Sequence, residues 1–177
     1  MKTKLLHFGA LLLVITVAVM PMLPIGDGVM TADNPLYDQP ESRLVTVLEA
    51  DSFDDPVYVL KDGVVSYRIG IADGRPVGAA FVLSVRGWNP GLIFLVGVDY
   101  NGEISGLEII QDRETPGFGD LVRGESFRGQ FIGNTAGMEF GNHIAAATGA
   151  TVSSQAIFNG ANAAVEYFVS NILPTWY

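Results

Sequence analysis

Two short stretches of this chain hold residue types that chemistry would need. In Thr148-Gly149-Ala150-Thr151-Val152-Ser153-Ser154, hydroxyl residues gather around a glycine, between the run Ala145-Ala146-Ala147 and the pattern of a last helix expected from about Ser154 to Ile172. Ser, Thr and Gly suit a helix start because side-chain oxygens satisfy the orphan N–H groups of the first turn. Those N–H groups and the positive end of the helix dipole also favour a phosphate. An ordinary helix cap and a phosphate site are both open on these residues alone. The second stretch is Asp112-Arg113-Glu114-Thr115-Pro116-Gly117-Phe118-Gly119-Asp120. Its Pro-Gly pair and following glycine force a tight turn and let backbone approach something closely. Asp112 with Glu114, like Asp54 with Asp55, reads as a solvated turn rather than an acid–base pair.

Several chemistries lack their residues. The 177-residue chain has no cysteine, which excludes disulfides, cysteine-ligated iron–sulfur clusters, thioether-bound haem and a thiol nucleophile. His7 and His143 are too far apart to build a histidine metal site, and no EF-hand spacing occurs. Thr151, Ser153 and Ser154 have only His143 near them in sequence, and no G-x-S-x-G elbow is present. Neither a G-x-G-x-x-G fingerprint nor a Walker loop is found. A net charge of −9 would repel a nucleic-acid backbone, so no nucleic-acid partner is expected.

The elements that must position the two stretches follow from patterning. Lys2 and Lys4 precede an apolar run from Leu5 to Ile25. As a helix it would span about 31 Å, the hydrocarbon thickness of a bilayer, with Pro21 and Pro24 near its far end. The run is longer than the core of a signal peptide, and Met30-Thr31-Ala32 is a poor cleavage site. Residues 1–26 are therefore expected to be a retained transmembrane anchor, with membrane lipid around it. The lysines lie on the cytoplasmic side and the remainder outside. Residues 27–56, rich in Asp, Pro and Asn, read as a stalk containing one short amphipathic piece, Leu44–Leu48.

From residue 57 the pattern changes to strands. Val57–Lys61, Val64–Ile71, Pro76–Val85, Leu92–Tyr100 and Glu103–Gln111 are separated by Asp62-Gly63, Asp73-Gly74, Asn89-Pro90-Gly91 and Asn101-Gly102. Asp-Gly and Asn-Gly between β-branched runs are hairpin signals. The alternation of Tyr67, Ile69 and Ile71 predicts one buried face, and the wholly apolar Leu92–Val96 suits a central strand. A short helix is expected within 121–132, then a Gly-rich loop, then the last helix. The fold class is α+β: one N-terminal transmembrane helix, then an antiparallel sheet with helices packed on it. The domain is expected over residues 57–177.

Four features in order resemble the RnfG subunit of the Rnf electron-transport complex and its relative NqrC of the sodium-pumping NADH:quinone oxidoreductase. They are the anchor, the strand and turn Phe94–Gly102, the Glu114–Asp120 loop, and Thr148-Gly149-Ala150-Thr151 before the last helix. The resemblance implies FMN joined through its phosphate to a threonine by a flavin transferase that uses FAD. Matched onto this chain, the acceptor is Thr151, with Thr148 the rival, in a motif that includes Gly149, Ala150 and Ser153. Glu114, Thr115, Pro116, Gly117 and Phe118 correspond to the second signature, which lines the flavin pocket.

This chain departs from the pattern at Ala145, where an aspartate is usual six residues before the acceptor, at Ser153-Ser154 for threonine-serine, and at Phe118 for leucine. The implied role is a non-catalytic-alone subunit that relays electrons between ferredoxin and NAD⁺, coupled to Na⁺ or H⁺ transport. It would work among other integral and peripheral subunits in a prokaryotic cytoplasmic membrane. An NqrC-like or other anchored flavin shuttle, and a flavin-free assembly module, are the alternatives.

Overall fold

At Asp62-Gly63 and Asp73-Gly74 both residues of each pair have positive φ (53° and 83°, 50° and 69°). That is the backbone of a two-residue turn whose twist matches that of the strands it joins. These turns set the registers that carry the rest of the fold. The computed structural model describes residues 37–117 and 119–177; the expected anchor, the first part of the expected stalk and Phe118 lie outside the described residues.

In chain order the elements are α1 (Glu41–Leu44), β1 (Ser52–Phe53), β2 (Val57–Lys61), β3 (Val64–Ala72), β4 (Arg75–Arg86), β5 (Pro90–Asp99) and β6 (Ile104–Gln111). After them come α2 (Gly119–Arg123), α3 (Glu125–Arg128) and α4 (Thr151–Tyr167). The last helix continues through a π turn at Phe168–Ile172 into a 3-10 turn at Leu173–Trp176. All strand pairings are antiparallel, in the order β1-β3-β4-β5-β6, with β2 sharing with β1 the outer edge of β3. This is the expected α+β architecture. Among the described residues no helix is long and apolar enough to cross a membrane.

The sheet is buried on both faces, where the alternation predicted one. Phe81, Leu83, Phe94 and Val96 point to the face covered by α4 and the π turn after it, through Ile157, Ala161, Ala164 and Phe168. Their neighbours Ala80, Val82, Ile93 and Leu95 point to the other face, covered by Tyr37, Leu44, Val47, Leu48 and Phe53. Two covered faces explain why Leu92–Val96 is apolar throughout, as a strand buried on both sides must be.

The stalk expected over 27–56 is corrected accordingly for residues 37–56, which form a strap across the sheet. Ser66 donates its hydroxyl to the Tyr37 carbonyl (2.9 Å) and Ser105 donates to the Val47 carbonyl (2.6 Å). At the centre of the strap, the backbone of Val47 lies on Gly97 and Gly106, which face each other across β5 and β6. A Cβ on either glycine would overlap that backbone. The strap's apolar residues are too few and too unevenly spaced to register as a periodic element.

Candidate functional site

The turn before α4 is built by hydrogen bonds from its own small residues. Gly149 has φ +88°, a conformation that glycine adopts without strain. Ala150 N–H donates to the Ala147 carbonyl (2.9 Å), and Ala147 N–H donates to Ser154 Oγ (3.0 Å). These bonds start the helix at Thr151, three residues earlier than the pattern suggested, because Ser154 closes the turn from inside the helix. Ala150, at the cap position, offers no side-chain oxygen, so no side chain caps the first turn. The orphan N–H groups and the positive dipole end of a 17-residue helix remain directed at whatever lies beyond it.

What lies beyond is a cleft of about 360 Å³, within the range of small-molecule sites. Three segments wall it: Trp88 on the β4–β5 turn, Glu114 and Thr115 after β6, and Gly149–Ser153 at the start of α4. Antiparallel pairing brings the first two together, since the β4–β5 turn and the exit of β6 fall at the same end of the sheet. Gly160 then lets α4 approach closely, with Phe94 and Leu83 against it.

Thr151, Gly149, Ala150, Ser153, Glu114 and Thr115 all line this cleft. Thr148, Pro116 and Gly117 are exposed and lie outside the lining, and Phe118 is outside the described residues. Thr151 is an exposed hydroxyl on the wall, whereas the hydroxyls of Ser153 and Ser154 are buried and committed to the N–H groups of Trp88 and Ala147. Two lining residues, Trp88 and Val152, were missed by the sequence reading. Trp88 is 69% exposed, and a tryptophan directly before the Asn89-Pro90-Gly91 turn was its only signal in the sequence.

Asp112 and Glu114 are not the plain solvated turn expected of them. Arg123 Nε donates to Asp112 Oδ2 (2.5 Å) and its Nη1 donates to the Ile109 carbonyl (3.0 Å). Asp112 Oδ1 in turn accepts the N–H of Glu114 (3.3 Å). This brace orients Glu114, which lines the cleft and whose Oε1 is buried beside Gly87 with no hydrogen-bond partner. A buried carboxylate oxygen left without a donor is costly. It suits a ligand that brings an N–H or O–H to one wall while its anionic group lies at the helix terminus. FMN has that donor set: ribityl hydroxyls and a ring N–H at one end, a phosphate at the other.

Residues 87–166 match the family described as FMN-binding domain. The matched span begins at the turn bearing Trp88 and takes in all three walls of the cleft. Among curated proteins, this chain is 31% identical over 128 residues to the G subunit of the ion-translocating oxidoreductase complex of Methanosarcina acetivorans, covering 70% of this chain and 65% of that one. It is 31% identical over 111 residues to the G subunit of the Na(+)-translocating ferredoxin:NAD(+) oxidoreductase complex of Acetobacterium woodii (56% and 53%). To the G subunit of the proton-translocating ferredoxin:NAD(+) oxidoreductase complex of Clostridium ljungdahlii it is 28% identical over 144 residues (77% and 75%). Across the first three curated relatives the chain spans 53–65% of their length. The crystal structure of Shewanella oneidensis NqrC shares the fold, with TM-score 0.52, 17% identity, and 74% and 73% of the two chains covered.

Proposed function

We propose that this protein is an electron-transfer subunit of a membrane-bound, Rnf-type ion-translocating ferredoxin:NAD⁺ oxidoreductase complex, working through FMN carried as a phosphoester on Thr151. The observation that carries the reading is the placement of an exposed threonine at the uncapped N-terminus of α4, in one cleft with Glu114, whose Oε1 is buried without a partner. Curated relatives bearing the names of such subunits support the partner set. The role would need the other subunits of the complex, a flavin transferase, and an anchor in residues 1–26 that holds the domain outside the cytoplasm.

Each wall has a task in this reading. Thr151 Oγ, giving up its proton, would replace AMP on the FMN phosphorus of FAD, forming one phosphoester as the pyrophosphate bond breaks. The first-turn N–H groups of α4 would hold the phosphate oxygens. Glu114 Oε1 would accept a hydrogen bond from the cofactor, and the carboxylate's charge keeps the phosphate to the helix side of the cleft. Trp88 and Val152 supply apolar surface beside it. Bound FMN supplies the redox chemistry; the protein sets its position and solvent access. A net charge of −9 works against retaining a free anionic cofactor, and a covalent bond removes that difficulty.

The decisive experiment uses protein purified from its own membranes, denatured and run on a gel. Flavin fluorescence in the band and a mass increment of one FMN are expected. Thr151→Ala should abolish both while the fold persists. An unmodified wild type sinks the covalent reading, and a label retained on Thr148 moves the acceptor. Co-purification with an iron–sulfur subunit separates a complex member from a lone flavin shuttle.

A further inference from the structure

Trp88 stands exposed on a turn that two hydrogen bonds stitch down, one on each side. Its own N–H donates to Ser153 Oγ (3.2 Å) in the first turn of α4. The next residue, Asn89, donates its Nδ2–H to the Arg113 carbonyl (2.9 Å), directly before Glu114. Ser153 is 3% exposed, so its hydroxyl is shielded from competing water. The residue before Trp88 completes the seam. At Gly87 a Cβ would lie 2.9 Å from Ser153 Oγ and would overlap Glu114 Oε1. The three walls of the cleft therefore converge on one backbone position, where an added Cβ would displace the Glu114 carboxylate and crowd the Ser153 hydroxyl.

An apolar side chain that is 69% exposed gains little by burial where it stands. Yet the turn carrying it is tied to both opposite walls, which fixes the backbone from which the indole lines the cleft. We propose that Ser153 and Asn89 are positioning residues that hold Trp88 across the cleft, so that solvent access to the bound cofactor is set by two hydrogen bonds flanking the tryptophan. Neither residue touches the reacting atoms in this role; both act through the β4–β5 turn. The proposal rests on the flavin reading above.

The test measures quenching by iodide of the native flavin fluorescence in the purified, labelled protein, normalised to the labelled fraction. Ser153→Ala and Asn89→Ala should each raise the quenching constant several-fold, and Ser153→Thr should restore it. Trp88→Ala should raise it at least as much. Because Ser153 and Asn89 act through Trp88, adding either alanine to Trp88→Ala should produce no further rise.

Asn89 lies outside the cleft lining, so its variant reads the clasp even where Ser153→Ala folds poorly. Unchanged accessibility in Asn89→Ala, or full additivity with Trp88→Ala, would overturn the proposal. A labelled wild type with unresponsive variants overturns the clasp alone. A wild type without flavin overturns the underlying reading, and the clasp with it.

Discussion

The two faces of the sheet are covered by opposite means. On one, α4 lays a regular helix over Phe81, Leu83, Phe94 and Val96, and side chains meet side chains. On the other, the irregular strap of residues 37–56 brings its own backbone down to the sheet at Val47, in a slot opened by Gly97 and Gly106. The helix face tolerates small adjustments because flexible side chains fill its interior. The strap face depends on the absence of side chains, so it should be sensitive to a single added methyl. The helix face also ends in the cleft, whereas the strap face holds no part of the candidate site.

This contrast can be tested by substitution. Removing the ring of Phe94, fully buried under α4, should cost about 3–5 kcal/mol, read as a lowered midpoint in urea. Gly97→Ala adds one carbon on the strap face and should still cost about 1–3 kcal/mol, since it meets backbone rather than a movable side chain. A neutral Gly97→Ala would mean that the strap is loosely held, and the contrast would fail. Ser105→Ala, which removes the hydroxyl donated to the Val47 carbonyl, should cost about 1 kcal/mol by the same measurement.

The smallest effect is expected at Tyr67, on the helix side beside Phe81 and Tyr167. Burial, and then the neighbouring charge of Tyr167, raise its pKa above the ordinary 10.0. The folded protein then holds this proton more tightly than the unfolded chain does. Its contribution to stability is complete below pH 10 and is lost as pH rises through the folded value. Tyr67→Phe should flatten the alkaline fall in stability above pH 10 and leave the neutral-pH slope unchanged.

Much of the helix side was legible before any fold was known. The Asp-Gly pairs marked the hairpins, because few other residues enter those turns without strain. The predicted strands match β2 through β6 to within a few residues. The strap was missed because a chain crossing a sheet on five apolar residues carries no period. Trp88 was missed for a related reason: a residue in a turn owes its place in a site to which turns the sheet brings together. Asp112 looked like a solvated carboxylate, since its partner Arg123 follows only after a turn and lies on the next helix.

The sequence by itself determined the strands, the hairpin turns, the helix after Thr148–Ser154, and the residue types suited to a phosphate at that helix's N-terminus. These are local properties, decided by backbone conformation and by neighbours a few residues away. Only the tertiary structure decided that the helix begins at Thr151 and that Thr148 lies off the cleft. It also decided that Glu114 is left with an unpartnered buried oxygen and that the turn of Trp88 is tied to both facing walls. Each depends on residues dozens of positions apart, joined by strand register and by glycines where backbones nearly touch, and local preference carries no record of such meetings.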